Sequence, residues 1–245
     1  MKRVLFGFLF ALAITSVGFF SSCDDDDDYE IWGTIATARP ANDNLHSFYL
    51  VLDDGTTLIP DKTSGNYNPK ENQRAVVYFE FLSDKVDGYD HKVRIDYLRD
   101  ILTKKVVSLT EENSDYFSED PVKILKMWIG DDFLNIKFGY NGTGQKIHYI
   151  NMVNNTTAGY PDDGKTHLEF RHNSNGDPAQ HGYNGFVAFD LRPYQSDNRE
   201  SVDFVIKVRD FGEIKEYNVN YNYKDKTVKV NRDGIERDFD ASQYE

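Results

Sequence analysis

The 245-residue chain carries 28 Lys and Arg against 41 Asp and Glu, a formal charge of −13. An acidic body of this kind repels phosphate backbones, which excludes nonspecific nucleic-acid binding, and the same charge keeps a surface protein soluble. Aromatic residues make up 14% of the chain, nearly all Tyr and Phe, and the single cysteine excludes an internal disulfide. This composition favours strands, held together by a hydrophobic core rather than by cross-links.

The chain begins MKRVLFGFLFALAITSVGFFSSC. Lys2 and Arg3 form a positive start, Val4 to Phe20 carry no charge, and Ser21 and Ser22 are small, which is the order of a secretory signal over residues 1–22. A membrane-spanning helix needs roughly 20 predominantly apolar residues, and Thr15, Ser16 and Gly18 loosen the run near its end. Phe20-Ser21-Ser22-Cys23 resembles the end of a bacterial lipoprotein signal, with Phe20 where such signals favour Leu. The resemblance implies that cleavage leaves Cys23 at the new N-terminus, where its thiol takes a diacylglycerol group and its amine a further acyl chain such as palmitate. Each buried methylene contributes ~0.8 kcal/mol, and two or more chains anchor stably. A free thiol or an intermolecular disulfide is the other use of a lone exported cysteine, but the position directly after the apolar run favours lipid.

Asp24, Asp25, Asp26, Asp27 and Asp28 follow. Five adjacent like charges repel one another, so residues 23–29 read as a lipid-bearing cysteine on an acidic tether. Order is expected from Glu30. IWGTIATA (31–38) is a short β-prone run. HSFYLVLDDGTTLIP (46–60) reads as a hairpin, with Phe48, Leu50 and Leu52 alternating with Tyr49 and Val51 and a turn at Asp54-Gly55. KTSGNYNPKENQ (62–73) is a loop by its Gly, Asn, Pro and Ser content. RAVVYFEFL (74–82) is a strong strand, with Asp87-Gly88 as the next turn. HKVRIDYLRDILTKKVVSL (91–109) starts with the alternation Val93, Ile95, Tyr97; part of it also fits a helical spacing, and the β-rich context favours strand, loop, strand. About five strands are thus expected up to residue 109.

Acids cluster in ENSDYFSEDP (112–121) and Pro121 ends the run, which places a junction between a first domain at 30–112 and a second at 120–245. The second contains VKILKMWIG, FLNIKFGY, KIHYINMV, HLEFRH, GFVAFDL, VDFVIKVRDF, IKEYNVNYNY and TVKVN, separated by Gly, Asn, Asp and Pro turns. Short alternating strands in this number point to an antiparallel sandwich, so the chain reads as two all-β domains.

The residues offer little for catalysis. No nucleophile elbow, phosphate loop, zinc-protease helix or dinucleotide fingerprint occurs, and Cys23 is committed to lipid, so the expectation is a protein that is not an enzyme, with no catalytic residues. His148, His167, His172 and His181 share one stretch, but their spacing matches no standard zinc pattern. On strands His167 and His172 face opposite ways because their offset is odd, and His172 is expected to hydrogen-bond within its turn. Asn173 to Asp177 offers alternating oxygens like part of a calcium loop, yet Pro178 stands where such a loop needs glycine and Asn184 where it needs glutamate. A tight turn is expected there, with no metal and no cofactor. The pairs Asp131-Asp132 and Asp162-Asp163 sit in turns, where Asp satisfies backbone N–H groups. Tyr49, Tyr67, Tyr78 and Tyr89 lie on or beside strands of the first domain; aromatic rings stack on sugar faces, which makes them candidate ligand-binding residues, although Tyr is favoured in strands regardless of ligand.

CDDDDDY, FYLVLDDGTTLIP, KVRIDYLRDILTKKV, MWIGDDFLNIKFGY and HLEFRHNSNGDPAQHGYNGFVAFDL, in that order, resemble the NigD-like family of Bacteroidetes lipoproteins over essentially the whole mature chain. The resemblance implies an N-terminal OB-like barrel followed by an antiparallel β-sandwich. The OB architecture often binds oligosaccharides or oligonucleotides, though fold alone does not fix function. The family name refers to a bacteriocin locus, which implies immunity or envelope defence. The acidic run Asp24 to Asp28 resembles the signal that sends lipoproteins of this phylum to the outer face of the outer membrane. The expected protein is a noncatalytic lipoprotein held to outer-membrane lipid, facing the exterior and binding a glycan or a protein; immunity and a hydrolase without a recognisable motif are the alternatives. Cys23→Ser is expected to abolish incorporation of labelled palmitate and to release the chain from the membrane fraction, as read by metabolic labelling and fractionation.

Overall fold

The computed structural model describes residues 30–41, 48–61, 67, 70, 72–86 and 88–224; the leader, Cys23, the acidic tether and the C-terminal TVKVN segment lie outside them. The first five strands are β1 (Trp32–Pro40), β2 (Phe48–Leu52), β3 (Thr57–Pro60), β4 (Gln73–Val86) and β5 (Tyr89–Asp100). They close into a barrel in the order β1-β2-β3-β5-β4. β1 pairs antiparallel with both β2 and β4, while β3 runs parallel to β5, which is the connectivity of an OB barrel. The turns lie where the sequence puts them: Gly55 and Gly88 both adopt positive φ, 83° and 89°, a region open to glycine without strain. Phe48, Leu50 and Leu52 point into the barrel with Trp32, Leu58, Val77, Phe79 and Val93. The register of β4 against β5 slips at Tyr78/Phe79 and Phe81/Ser83, and such bulges increase the local twist of long strands that curl around a barrel.

Nine further strands follow among the described residues: β6 (Thr103–Lys105), β7 (Val107–Leu109), β8 (Lys123–Gly130), β9 (Phe133–Gly142), β10 (Tyr149–Asn155), β11 (Thr166–Asn173), β12 (His181–Asp190), β13 (Ser201–Arg209) and β14 (Ile214–Asn222). They form a sandwich of a five-stranded sheet, β14-β13-β11-β10-β7, and a four-stranded sheet, β6-β12-β9-β8. β11 and β13 are parallel because the strand between them in sequence, β12, crosses to the other sheet. Leu134, Ile136, Phe138, Val187 and Phe189 from one sheet meet Ile150, Met152, Leu168, Phe170, Phe204 and Ile206 from the other.

No free linker joins barrel to sandwich. The N–H of Ile101 donates to the carbonyl of Arg74 in the barrel, 2.8 Å, and the carbonyl of Leu102 accepts from Ala188 in the sandwich, 2.9 Å. β6 then adds to β12 and β7 to β10, each in parallel. The change of domain thus falls at residues 101–103, ahead of the polar run at 112–121. That run packs on the sandwich: Asp120 N–H donates to His172 O, Val122 N–H to Arg209 O, both 2.9 Å, and Glu119 pairs with Arg171 at 2.6 Å. Of its acids, Glu119 meets a cation on the sheet and Asp120 a backbone N–H, while Glu112 and Asp115 are exposed.

The outer face of β1 and β4 lies under the sandwich. Ile35, Val76 and Ile101 pack with Phe186, flanked by Tyr78 and Trp128. Beside this apolar patch Arg74 is fully buried. Its guanidinium donates to Asp53, 2.5 Å, and to the Thr37 hydroxyl, 3.1 Å, and lies 5.6 Å from the centre of the Phe133 ring. The same Asp53 carboxylate accepts from the indole N–H of Trp128, 2.8 Å. Arg39 donates to both oxygens of Asp131, 2.9 and 2.8 Å. Burial pushes the Asp131 carboxyl above its ordinary pKa, and Arg39 offsets only part of that, so this ion pair fixes geometry more than it stabilises.

Gly130 is the residue that lets the two domains close on Asp53: a Cβ there would lie 2.1 Å from the Asp53 carboxyl carbon, a carbon already held by two donors. Gly130→Ala is expected to destabilise the protein by about 1–3 kcal/mol, the usual cost of overpacking, measured by urea unfolding. Arg74→Met is expected to cost more than Arg74→Met combined with Asp53→Asn, because the single change takes the cation away from a carboxylate that is only one-third exposed.

Candidate functional site

The four tyrosines expected to bind ligand occupy three places. Tyr49 follows the alternation of β2 outward, and Tyr89 opens β5 directly after the Gly88 turn. Their rings meet 5.3 Å apart, tilted by 47°, within the range of favourable aromatic pairs, and both remain partly exposed. Polar contacts tie together the neighbouring strands β3 and β5. Asp90 accepts from the N–H and hydroxyl of Thr57, 2.9 and 2.8 Å, and its own N–H donates to the same hydroxyl, 3.0 Å. Lys92 pairs with Asp61 at 3.0 Å. These contacts lock β3 to β5, so the tyrosines stand on a rigid floor at the strand 2 and 3 face that OB barrels use for ligands.

Tyr78 lies elsewhere, against the interdomain patch and 6.0 Å from Tyr97, which is exposed and which sequence reasoning did not single out. Tyr67 stands edge-on to the core residue Phe48 at 5.2 Å and its hydroxyl donates to Asp100. Burial, aided by that hydrogen bond and the Asp100 charge, pushes the Tyr67 hydroxyl far above its ordinary pKa. Its ring and hydroxyl are both committed to the barrel.

The aspartate pairs serve side chains more than turns. Asp131 and Asp132 both have positive φ, 39° and 69°, but Asp131 holds Arg39, and Asp132 accepts from the Tyr221 hydroxyl, 2.6 Å, and Gln195, 3.2 Å. Only Asp163 caps its turn as expected, accepting from Lys165 N–H at 3.0 Å, and it also takes a 3.0 Å contact from His167.

His167 and His172 face opposite ways, as their odd offset requires. His167 stacks on Tyr160 outside the sheet, 4.8 Å and 15°. His172 does not bond within its turn; its ring meets His148, with Nε2 2.8 Å from His148 Nδ1, because Ile150 is aligned with His172 and His148 lies two residues back on the same face. His148 Nε2 reaches Asp177 at 3.2 Å. Residues 173–177 do form a tight turn, with Asn175 and Gly176 at positive φ and Asp177 N–H donating to Ser174 O. Among the described residues no group of three or more His, Cys, Asp or Glu side chains is placed to hold a metal.

A shallow depression, open to solvent, lies on the outer face of the five-stranded sheet, lined by Glu119, Glu169, Arg171, Lys207, Arg209 and Ile214. It encloses room for little more than a water, far short of the roughly 300–1,000 Å³ typical of small-molecule sites. Glu169, almost wholly buried, is saturated by Tyr160, Arg171, Asn155 and Lys207. Burial alone would raise its pKa, but these hydrogen bonds and charges outweigh it and hold the carboxyl below the ordinary range. A carboxylate so committed has no free oxygen for acid–base work.

Two family models match the chain, the NigD-like N-terminal OB domain over residues 35–101 and the NigD-like C-terminal beta sandwich domain over residues 105–221. The chain belongs to the NigD-like family. It is 36% identical to a Parabacteroides distasonis protein of solved structure called toxin-related, over 80% of this chain and 96% of that one, with a TM-score of 0.66. A Bacteroides vulgatus protein of unknown function is 26% identical over 82% of this chain and 96% of that one, TM-score 0.68. The fold alone is shared with a NigD-like immunity protein from Bacteroides caccae, 19% identical over 80% and 98% of the two chains, TM-score 0.59. No curated protein matches the chain. The NigD-like family is not a known enzyme family, and its two-domain form is the barrel and sandwich described above.

Tyr49 and Tyr89 are partly exposed and outside the barrel core, so replacing them is expected to leave the fold intact. Tyr49→Ala and Tyr89→Ala are each expected to lower stability only slightly, with a pair coupling of about 0.5–1.5 kcal/mol in a double-mutant cycle read by urea unfolding.

Proposed function

We propose that this NigD-like protein is a noncatalytic cell-surface lipoprotein whose barrel binds a glycan outside the cell. The observation that carries the reading is the Tyr49/Tyr89 pair, two partly exposed rings, with Asp90 next to Tyr89 in sequence and the Lys92–Asp61 pair further along the same β3–β5 ladder. A sugar offers an apolar face to such rings and hydroxyls to the flanking charges. The leader and Cys23 supply the anchor, and Asp24 to Asp28 supply both a spacer and an export signal to the outer face of the outer membrane.

A second reading, sequestration of a toxin, is favoured by the names of two proteins of the same fold, one called toxin-related and one called an immunity protein. Both readings use a binding surface rather than a reaction, and they differ in the partner.

On a glycan array and by calorimetry, Tyr49→Ala and Tyr89→Ala are each expected to weaken glycan binding about tenfold, ~1.4 kcal/mol, while Tyr97→Ala leaves it unchanged. Absence of any glycan ligand across a broad screen would remove this reading, and a deletion strain with altered toxin sensitivity would then favour the second. Protease added to intact cells is expected to digest the folded domains; full protection would place them in the periplasm.

A further inference from the structure

At one end of the sandwich His148, His172 and Asp177 join the loop after β9, the strand β11 and the turn before β12. The cluster is shut in: the His148 side chain is 8% exposed and that of Asp177 1%, and His172 is 2% exposed. A Cβ on Gly142 would meet the Asp177 carboxylate at 2.7 Å and His148 Nε2 at 3.0 Å. Tyr140 lies against both imidazoles, 4.7 and 5.6 Å between ring centres, with Tyr183 stacked behind it at 5.7 Å.

The protons can be placed from the acceptors. Asp177 takes the Thr143 N–H on Oδ2, 2.7 Å, and the Thr143 hydroxyl on Oδ1, 2.5 Å. A carboxylate only accepts, so the His148 Nε2 facing it carries hydrogen. In neutral His148 the Nδ1 is then a lone pair, and His172 Nε2–H donates to it across 2.8 Å. This leaves His172 Nδ1 buried and outside strict hydrogen-bond geometry, yet facing the backbone of Asp120 and Pro121, whose carbonyls favour a hydrogen on it. One extra proton can be held: it sits on His148 as an imidazolium facing Asp177, with His172 switching tautomer to accept from it. A second cannot, because the two nitrogens that face each other would both carry hydrogen and both rings would be cations.

We propose that the His148–His172 contact is an acid-opened latch, which holds the ends of β9 to β12 together with one shared proton and releases them when both rings are protonated. The charged groups facing it come from every neighbouring element. Asp177 on the turn before β12 and Asp120 ahead of β8 are negative, with Asp120 held by Ser174 N–H at 2.7 Å. Lys146 in the loop after β9 spends its ammonium on the carbonyls of Asn175 and Gly176, 3.1 and 2.9 Å. Tyr140 and Tyr183 are neutral phenols from β9 and β12, and His181 is aligned with Gly142 on the same pair of strands.

Burial, and next the neighbouring imidazole, hold His172 below its ordinary pKa of 6.5, whereas Thr143 and His148 hold Asp177 at about 2, so the carboxylate does not titrate in the same range. Because the closed form of His172 has the lowered pKa, the open form binds more protons. The closed state is therefore fully favoured above about pH 6.5 and loses favour as pH falls from there toward the depressed value, by up to ~tenfold in the closed-to-open ratio per unit of pH for one extra proton taken up.

Hydrogen exchange followed by mass spectrometry between pH 7.5 and 5, corrected for intrinsic rates, tests this on the whole folded chain. Protection of residues 143–150 and 172–178 is expected to fall by up to ~tenfold per pH unit below about 6.5, with barrel residues 73–82 unchanged. In His148→Gln, which removes one titrating ring, that pH dependence is expected to flatten. Equal loss of protection in the barrel, or no change at 143–150 down to pH 5, would overturn the proposal. So would imidazole NMR titrations of the wild-type protein in which both rings become fully protonated while the protection of that end persists, a readout independent of whether the variant folds.

Discussion

The carboxylate of Asp53 sits where barrel, sandwich and solvent meet, and the arrangement of the two domains depends on what it touches. From the barrel it takes a hydrogen bond from Arg74, and from the sandwich one from the Trp128 indole. Gly130 gives it room. Asp53 is the carboxylate that Arg74 pairs with directly, while Asp131 acts on it only through charge, and Arg74 is wholly buried, so withdrawing Asp53 would leave a poorly compensated cation in a dry interface, which is among the costliest defects a fold can carry. The apolar patch of Ile35, Val76, Ile101 and Phe186 supplies most of the association energy around it. Asp53 supplies direction, because only one placement of the sandwich meets Arg74 and Trp128 together.

That constraint also explains which parts of the fold could be read in advance. β2 alternates because one of its faces meets the barrel core and the other is largely free, so Phe48, Leu50 and Leu52 announced themselves. β1 does not alternate: Ile35 and Thr37 are as buried as Ala36 and Ala38, because one face meets the core and the other meets the sandwich. A run such as IWGTIATA shows a strand but not what lies on its second face. Arg74 and Thr37 read as surface residues by type, and only tertiary contact turns them into interior ones. The polar run at 112–121 differs for the converse reason, since Glu119 and Asp120 at its end find Arg171 and the Ser174 N–H on a sheet formed by residues far along the chain.

The sites follow the same logic. His148 and His172 lie 24 residues apart, at no spacing that any motif prescribes, and only the pairing of β10 with β11 brings them into contact. The odd offset of His167 from His172 was enough to separate those two, because period-two geometry needs no tertiary knowledge. Likewise, tyrosine content marked Tyr49, Tyr67, Tyr78 and Tyr89 alike, and it took barrel closure to sort them. Tyr67 stops against the core, Tyr78 faces the interdomain patch, and Tyr49 meets Tyr89 across β2 and β5.

An OB barrel has a limited number of faces on which a ligand can be held, and here most are spent. The outer side of β1 and β4 is sealed by Phe186 and Trp128. Tyr67 lies on Phe48, with its hydroxyl tied to Asp100. Tyr97 is exposed but borders the sealed side through Tyr78. What remains is the floor made by β2, β3 and the start of β5, where Thr57 and Asp90 lock the backbone and Tyr49 and Tyr89 stand above it. Among the described residues, the sandwich, by occupying one side of the barrel, thus leaves the Tyr49/Tyr89 face open. The lipid anchor proposed at Cys23, with the acidic run after it, would suit such a module, because the module needs reach and orientation from the membrane but no moving part between its two domains.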